Sequence, residues 1–339
     1  MDSAPAAGPR LIHIGYHKTG TTWLQRTLFV PENGYVQLLD HREIFETLVR
    51  PYPLAFDPEE VAARVSGPLA QVPLGCVPML SSEILSGNPF FGARDCLLCA
   101  ERLKTCFPGA RILITIREQL AAIVSTYMQY LRRAGTLSPQ DFFDARVEPG
   151  YGAFDHRHFQ YDRLVAEYRR LFGAGNVLVV ANEALAADPM AVATQVAEFS
   201  GIVGPRQVSR TRVGASAPEA AVGALRVVNL LRSGPTSSAT LVDLGAAGHW
   251  LHRGTSKLFQ LPPLRRYAAD RRPVLEAARR RYAGAFAESN QRLLEMIGPT
   301  PGLSRYEGLS TTGSDTQCAP DPEGLGTSRA TTTFNSSGA

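Results

Sequence analysis

One lysine, two glycines and three threonines stand close together near the start of the chain. The apolar run Leu11–Ile14 continues directly into Gly15, and residues 17–22 then read HKTGTT, with Lys18 and Gly20 inside the turn. Glycine permits torsions and close approaches that other residues do not, so consecutive backbone N–H groups can converge on one anion. The lysine adds a full positive charge, and the hydroxyls add donors. This stretch predicts an anion-binding loop between a strand and a helix.

The order of residues in this loop bears on which anion it binds. A Walker-type loop ends Gly-Lys-Ser/Thr, with the hydroxyl placed for magnesium, whereas Lys18 here comes before the Thr-Gly-Thr-Thr run. Residues 18–24 (KTGTTWL) resemble the 5′-phosphosulfate-binding loop of sulfotransferases, which use 3′-phosphoadenosine 5′-phosphosulfate (PAPS). The alternative is a generic Gly/Thr-rich turn. The resemblance assigns cofactor binding to Lys18, Thr19, Gly20, Thr21, Thr22 and Trp23.

A second match to this family involves Arg117 and Ser125. Residues 110–116 (ARILITI) are dense in β-branched side chains and predict a central strand that delivers Arg117 to the carboxyl edge of the sheet. Apolar side chains at spacings of three and four predict a helix over 119–133. Sulfotransferases hold the 3′-phosphate with an Arg at the end of this strand and a Ser eight positions later. Without that role, Arg117 caps local carbonyls and Ser125 faces solvent.

Glu83 is the candidate catalytic base. Residues 77–80 (VPML) predict a buried parallel strand, and Glu83 follows it at the sheet edge where open α/β folds bind ligands. The same edge is expected to carry Lys18. The resemblance implies that a Glu or His just after this strand takes the acceptor's proton, and His17 is the alternative base. A structural interpretation is that Glu83 only interacts with the dipole of the next helix.

The remaining pattern predicts an α/β fold. It consists of a P-loop-like parallel sheet flanked by helices on both faces, as the resemblance also implies. A flexible N-terminus is expected over 1–9 and a single domain over 10–298. Residues 299–339 are rich in Gly, Ser, Thr and Pro and predict a disordered tail. The further segments predicted are helices over 58–70, 161–172, 189–199 and 219–232, and a strand over 176–181.

Two later segments are less regular. Residues 135–158 lack a clear pattern and are expected to form a lid or acceptor loop beside the cofactor. Residues 212–216 (RVGAS) resemble a Val-Asn-x-Ser segment of the family, but Gly214 stands where Asn is usual. That departure leaves a cofactor contact there open.

Composition narrows the class of ligand and the location. The formal net charge of +4 over 339 residues suits an anionic cofactor and is too small to favour nucleic acid. Because neither a signal segment nor ~20 uninterrupted apolar residues is present, we expect a cytoplasmic protein without a transmembrane segment. The arginine-rich stretch 253–281 predicts a solvated helix face, and it leaves peripheral membrane contact open.

The five cysteines include one Cys-x-x-C pair, Cys96 and Cys99. No second Cys or His pair stands at ligand spacing nearby, and leucines surround the pair. The sequence therefore favours reduced, structural thiols and no metal site.

Together these observations predict a PAPS-dependent sulfotransferase similar to the bacterial group, acting on a hydroxyl, or less often an amine, of a carbohydrate, glycolipid or secondary-metabolite acceptor. The resemblance implies that Lys18 neutralises the charge that develops on the leaving phosphate. It also implies that Glu83 takes the proton of the acceptor. A P-loop kinase using ATP and magnesium and a non-catalytic nucleotide-binding module are the alternatives. Neither the acceptor nor the oligomeric state follows from the sequence.

Overall fold

The computed structural model describes residues 8–144, 154–205, 208, 217–236 and 239–309. Its centre is a five-stranded sheet in the order β2-β3-β1-β4-β5, in which every neighbouring pair is parallel. The strands are β1 (Leu11–His13), β2 (Tyr35–Gln37), β3 (Val77–Ser81), β4 (Arg111–Ile116) and β5 (Val177–Ala181). Ile12 of β1 lies opposite Leu80 of β3 and Ile112 of β4.

Helices connect the strands and cover the sheet. In the first half of the chain they are α1 (Thr21–Trp23), α2 (His41–Ile44), α3 (Pro58–Ala70), α4 (Cys96–Cys106), α5 (Gln119–Arg132), α6 (Pro139–Phe143) and α7 (Tyr161–Phe172). The second half contributes α8 (Asn182–Ala187), α9 (Pro189–Ser200), α10 (Val222–Asn229), α11 (Ala246–Leu258), α12 (Pro262–Ala269), α13 (Pro273–Tyr282) and α14 (Ala287–Ile297). Within the described ranges, no helix has the length and apolar character that crossing a membrane requires.

Shorter helical segments complete the path of the chain. Wider π-helical turns extend α1 over Leu24–Leu28 and α2 over Phe45–Val49. Single 3-10 turns lie at Pro31–Asn33, Pro53–Ala55, Glu83–Ser86, Pro89–Phe91, His156–Phe159, Ala174–Asn176, Glu219–Ala221 and Leu303–Arg305.

Both faces of the sheet are buried. Successive side chains of a strand point to opposite faces, and Ile12 and Ile112 lie in one hydrophobic cluster with residues of α4, α5 and α7. Leu11 and Leu113 lie in the other cluster, with Trp23 and residues of α9. This two-sided burial explains why the strands read as continuous apolar runs. The predicted parallel α/β sheet with helices on both faces is confirmed.

The strand order determines which segments meet at the carboxyl edge. β1 is the central strand, with β3 on one side and β4 on the other. The loop after β1, the turn that begins at Glu83 and the residue after β4, Arg117, therefore emerge side by side. These three segments carry the predicted site.

The packed chain extends past residue 298, where the sequence predicted its end. Leu303 and Tyr306 are buried, and the Tyr306 hydroxyl donates a hydrogen bond to Glu183 Oε2 at 3.1 Å. The boundary predicted at 298 is thus too early, because these two apolar side chains anchor the segment on the domain. Residues 310–339 lie outside the described part of the chain.

The described parts of 135–158 are packed into the interior. Phe142, Phe143 and Phe154 are buried and form one aromatic cluster, with ring centroids of Phe142 and Phe154 4.9 Å apart. The Tyr282 hydroxyl donates to the Phe143 carbonyl at 2.9 Å. These flanks are core rather than lid, and residues 145–153 lie outside the described chain.

The arginine-rich stretch lies mainly on exposed helix surface. Arg272 pairs with Glu219 at 3.1 Å, and Arg281 pairs with Asp144 at 3.2 Å. The buried Glu219 carboxylate also accepts hydrogen bonds from the backbone N–H groups of Val274 and Leu275. This carboxylate caps the first turn of α13, where backbone donors otherwise lack partners.

The four cysteines that the structure describes are free thiols. Cys96 and Cys99 lie on α4, and burial raises the pKa of Cys99 to about 12. Cys318 lies outside the described residues. Among the described residues, no group of three or more His, Cys, Asp or Glu side chains is arranged to hold a metal ion.

Candidate active site

A buried chain of hydrogen bonds runs beneath the loop that follows β1. The Thr19 hydroxyl donates to the Tyr16 carbonyl at 2.6 Å, and its oxygen lies 2.7 Å from Thr115 Oγ1. His13 Nε2 lies 3.1 Å from Thr115 Oγ1, and His13 Nδ1 lies 2.8 Å from Ser81 Oγ. Burial lowers the pKa of His13 to about 3, so its imidazole is neutral at pH 7.

The donors in this chain can be assigned in order. Because Thr19 gives its proton to a carbonyl, Thr115 donates to Thr19, and His13 Nε2–H donates to Thr115. His13 Nδ1 then accepts from the Ser81 hydroxyl. Ser81 and Thr115 stand two residues before Glu83 and Arg117, respectively. One neutral histidine therefore joins the ends of the three strands that carry the site.

This chain of bonds changes the role of Thr19. The side chain is fully buried, and its hydroxyl is engaged with Tyr16 and Thr115. The Thr19 hydroxyl therefore stabilises the shape of the loop and does not face a ligand. Trp23 is likewise buried, in the second hydrophobic cluster behind α1.

The loop exposes a row of unpartnered backbone donors. Among the described residues, no group accepts a hydrogen bond from the backbone N–H of any residue in 18–22. The Thr21 hydroxyl is buried and also lacks a partner within the described chain. Lys18 and Gly20 have left-handed backbone torsions, with φ of 68° and 88°. Consecutive unpaired N–H groups in such a turn form an anion-binding concavity.

The space around the loop leaves no room for a side chain at Gly15 or Gly20. A Cβ atom at Gly15 would lie well inside contact distance of Thr115 Oγ1 and 2.7 Å from His13 Nε2. A Cβ atom at Gly20 lies 2.8 Å from Leu185 Cδ2 of α8. Only glycine lets the loop approach β4 and α8 this closely.

Lys18 lies in an electropositive environment. Burial lowers the pKa of its ammonium, the charges of Arg132 and Arg117 lower it further, and the Glu83 carboxylate opposes them. Within the described part of the chain, Glu83 is the one acidic side chain that shifts the pKa of Lys18. An anion bound at Lys18 would relieve the mutual repulsion of these cations.

Arg117 links the end of β4 to the loop. Its Nη1 donates to the Lys18 carbonyl at 3.3 Å, and its own carbonyl accepts from the Tyr161 hydroxyl at 2.6 Å. Ser125 lies on α5 and is 9% exposed, although the sequence placed it away from the apolar stripe. Neighbouring helices bury α5 on nearly all of its faces. The spacing of its apolar residues predicted burial of one face only.

Glu83 begins the turn after β3, and its side chain is partly exposed. The Ser86 hydroxyl donates to the Glu83 carbonyl at 2.8 Å, and Ser82 Oγ lies 2.8 Å from His41 Nδ1. These contacts fix the backbone on both sides of the carboxylate. A partly exposed carboxylate on a fixed turn is accessible to an acceptor.

His17 lies next to Lys18 with its side chain buried. Burial is the main cause that lowers its pKa to about 4, Glu83 acts in the opposite direction, and His158 and Arg133 lower it further. Its Nε2 has no hydrogen-bond partner among the described residues. The structure thus brings both candidate bases, Glu83 and His17, to the side of Lys18.

The structure also adds residues that the sequence did not select. The His158 ring packs 4.7 Å from the Tyr16 ring, and its Nε2 is buried without a partner in the described chain. The Phe90 ring lies 6.2 Å from His17, and the Arg133 guanidinium lies 5.1 Å from the Phe90 centroid. From the sequence, a surface or packing role for His158 was favoured over contact with the acceptor, and there was no signal for Phe90 or Arg133.

Chemically, the arrangement combines a donor-rich loop, the cations Lys18 and Arg117, and the Glu83 carboxylate at a single sheet edge. Such a site suits transfer of a group that carries negative charge, because fixed donors and cations stabilise charge in the transition state. The predicted residues Lys18, Glu83, His17 and Arg117 lie together. The segment 212–216 lies outside the described residues.

One family model matches about a third of the chain. Residues 93–204 match the model of the Sulfotransferase family. The matched segment contains Arg117 and Ser125, whereas Lys18 and Glu83 lie before it. The resemblance predicted from the sequence is confirmed over this segment. A search of curated proteins found no match.

Several solved structures are similar to the chain at low identity. A sulfotransferase from Alicyclobacillus acidocaldarius is 20% identical, with a TM-score of 0.45, and the likeness covers 73% of this chain and 99% of that one. The sulfotransferase domain from the curacin biosynthetic pathway is 12% identical, with a TM-score of 0.38 and coverage of 82% and 97%. A mouse sulfotransferase complexed with PAP is 12% identical, with a TM-score of 0.35 and coverage of 86% and 90%. Since these scores are below 0.5, the likeness to the family rests on the matched segment 93–204 alone.

Proposed function

We propose that the chain, a sulfotransferase-family protein over residues 93–204, transfers the sulfuryl group of PAPS to a hydroxyl, or less often an amine, of a carbohydrate, glycolipid or secondary-metabolite acceptor. The observation that carries this proposal is the loop at 18–22. Its unpartnered N–H groups and the Lys18 ammonium face the carboxyl edge of the sheet beside Arg117.

The loop is suited to the 5′-phosphosulfate. The backbone N–H groups of 18–22 and the Thr21 hydroxyl supply donors that need an acceptor, and Lys18 supplies charge. The exposed Thr22 adds a second hydroxyl, while Thr19 contributes through its backbone alone. We propose that Lys18 stabilises the negative charge that develops on the leaving phosphate. One preorganised donor of this kind contributes on the order of 3 kcal/mol.

Arg117 and Ser125 are suited to the 3′-phosphate. Arg117 presents a planar fork of donors, and only one of its N–H groups is directed to the Lys18 carbonyl. Ser125 follows two helical turns later on α5. Because Arg117 also donates a hydrogen bond to the loop backbone, it connects the two proposed phosphate sites.

Glu83 is proposed to accept the proton of the attacking hydroxyl. The acceptor oxygen forms a bond to sulfur, the bond from sulfur to the phosphate oxygen breaks, and the proton passes to a carboxylate oxygen of Glu83. PAPS supplies the sulfuryl group in this step. The Glu83 carboxylate lies close enough to Lys18 to act on its ammonium, and this proximity supports its role as the base. His17 is the second candidate base.

Calorimetric titration of the full chain with 3′-phosphoadenosine 5′-phosphate (PAP), the desulfated product, tests the proposal. We expect micromolar binding that ADP does not match, that a chelator leaves unchanged and that Arg117→Ala weakens about tenfold or more. Arg64→Ala, on the exposed side of α3, is the matched control. Tighter binding of ATP with magnesium than of PAP overturns the proposal and favours a kinase.

A further inference from the structure

Two arginines at the end of α5 lie on the acceptor side of the proposed site. Arg132 is the last residue of α5, and Arg133 caps it. The Arg133 guanidinium lies over the Phe90 ring at 5.1 Å, and the Phe90 ring lies 6.2 Å from His17. A continuous row of contacts thus leads from the loop at Lys18 to the end of α5.

Within the described ranges, these two arginines have no anionic partner. Among the described residues, neither guanidinium forms an ion pair or donates a hydrogen bond, and the contact of Arg133 with Phe90 is made to an aromatic ring. Arg132 is exposed and acts on Lys18, whereas Arg133 is partly buried and acts on His17. Placing adjacent like charges without a partner is unfavourable, so an anionic ligand that pairs with them gains binding energy.

The backbone beneath the two arginines is fixed. The last carbonyls of a helix have no partner within the helix. Here, side chains from the end of α10 and from the segment after it donate hydrogen bonds to these carbonyls. Arg232 Nη2 donates to the Arg132 carbonyl at 2.6 Å, and Asn229 Nδ2 donates to the Leu131 carbonyl at 2.8 Å. The Thr236 hydroxyl donates to the Arg133 carbonyl at 2.9 Å. The two guanidinium groups therefore extend from a preorganised support.

Their position separates them from the proposed 3′-phosphate site. α5 has 14 residues and is about 21 Å long. Arg117 precedes its first turn, Arg132 is its last residue, and Arg133 follows it. Lys18 lies within electrostatic reach of both ends. The loop thus lies between a cofactor end and an opposite cationic end that the cofactor assignment does not use.

We propose that Arg132 and Arg133 form an acceptor subsite that binds a carboxylate or phosphate, so that the hydroxyl taken toward Glu83 belongs to an acidic acceptor. This inference rests on the proposed function and names its substrate class. The buried Phe90 ring supports it because it holds the Arg133 guanidinium in place.

Matched probes test the subsite. The PAP-saturated full chain is titrated with phenyl β-D-glucuronide and phenyl β-D-glucoside, and with 4-(hydroxymethyl)benzoate and 4-(hydroxymethyl)benzamide. We expect the carboxylate of at least one pair to bind about tenfold or more tightly than its neutral partner, because the neutral probe lacks the charge-assisted hydrogen bond. A 4-(hydroxymethyl)phenyl phosphate titration then distinguishes carboxylate from phosphate.

Substitutions link the preference to these side chains. Arg132→Gln and Arg133→Gln should each reduce the preference, Arg133→Glu should abolish it, and Arg64→Gln should preserve it. Equal binding of both members of both pairs, or a preference that all variants retain, overturns the subsite. PAP affinity is measured in every variant and should stay within about twofold. A large loss of PAP affinity in Arg133→Gln assigns the arginines to the cofactor instead, and absence of PAP binding in the unsubstituted chain contradicts the proposed function itself.

Discussion

The guanidinium of Arg117 donates a hydrogen bond to the backbone carbonyl of Lys18, 99 residues earlier in the chain, at 3.3 Å. Lys18 has a left-handed backbone torsion, which is unfavourable for a residue with a Cβ atom. The bond from Arg117 therefore helps to hold the loop in the shape that exposes its N–H groups. Charge and loop geometry at the two proposed phosphate sites depend on each other.

Arg117→Lys should separate these two contributions. Lysine keeps the positive charge but lacks the planar fork, so it cannot hold the Lys18 carbonyl and a phosphate together. We expect PAP affinity in Arg117→Lys to lie between the unsubstituted chain and Arg117→Ala, with a total loss of about 10- to 100-fold in the alanine variant. Isothermal titration gives the three affinities. Equal affinity in all three proteins would show that Arg117 does not contact the ligand.

Lys18→Gly and Lys18→Ala should both abolish sulfuryl transfer but differ in stability. Alanine keeps the strain of the left-handed torsion, whereas glycine adopts it freely. After allowing for the greater freedom of glycine in the unfolded chain, we expect Lys18→Gly to be more stable than Lys18→Ala by about 0.5–1 kcal/mol. Urea unfolding of both variants measures this difference. A less stable glycine variant would contradict the strain at residue 18.

Glu83→Gln tests the catalytic base. The amide retains the size of the side chain but cannot accept the proton, so we expect transfer from PAPS to fall by about 100-fold or more while PAP affinity is unchanged. His17→Gln is the comparison, because burial keeps the neighbouring imidazole neutral at pH 7, with a pKa of about 4. Activity that survives in Glu83→Gln and disappears in His17→Gln would transfer the role to His17.

His13 should make the fold sensitive to acid. Its pKa is about 3 in the folded chain and about 6.5 when unfolded. Between these values the unfolded state binds the proton and the folded state does not, so stability is lost as the pH falls from 6.5. In His13→Gln, the slope of unfolding free energy against pH between pH 6 and 4 should be lower by about 1.4 kcal/mol per pH unit. Urea unfolding across this range measures it, and the exposed His249→Gln serves as control. Identical slopes in His13→Gln and the unsubstituted chain would contradict this account.

Gly15→Ala should destabilise the loop through space alone. The added methyl meets Thr115 and His13 side chains that are locked in the buried hydrogen-bond chain. We expect a loss of about 1–3 kcal/mol in unfolding free energy, together with weaker PAP binding. Gly109→Ala is the matched control, because nothing lies within 4 Å of a Cβ there. Equal urea midpoints for the two variants would show that the loop moves aside without loss.

Local sequence patterns were sufficient to predict several of the elements and the edge of the sheet at which the candidate site lies. Helices α3 and α7 begin and end where the apolar spacing and flanking residues predict, at Pro58–Ala70 and Tyr161–Phe172. These features are local, since propensity and periodicity act within one element. Lys18, Glu83 and Arg117 could be placed together because the carboxyl ends of parallel strands share one edge.

The contacts that each side chain makes at that edge depend on how distant parts of the chain pack together. The Thr19 hydroxyl faces inward because Thr115, 96 residues later, lies beneath it. Arg133 joins the site through Phe90, and Tyr306 orders the chain past residue 298 by reaching Glu183. These contacts join residues far apart in sequence, and they depend on how whole helices pack. Short-range spacing carries no information about such packing. The anion-binding loop could therefore be predicted from the sequence. The buried hydrogen-bond chain beneath it and the position of Arg132 and Arg133 could not.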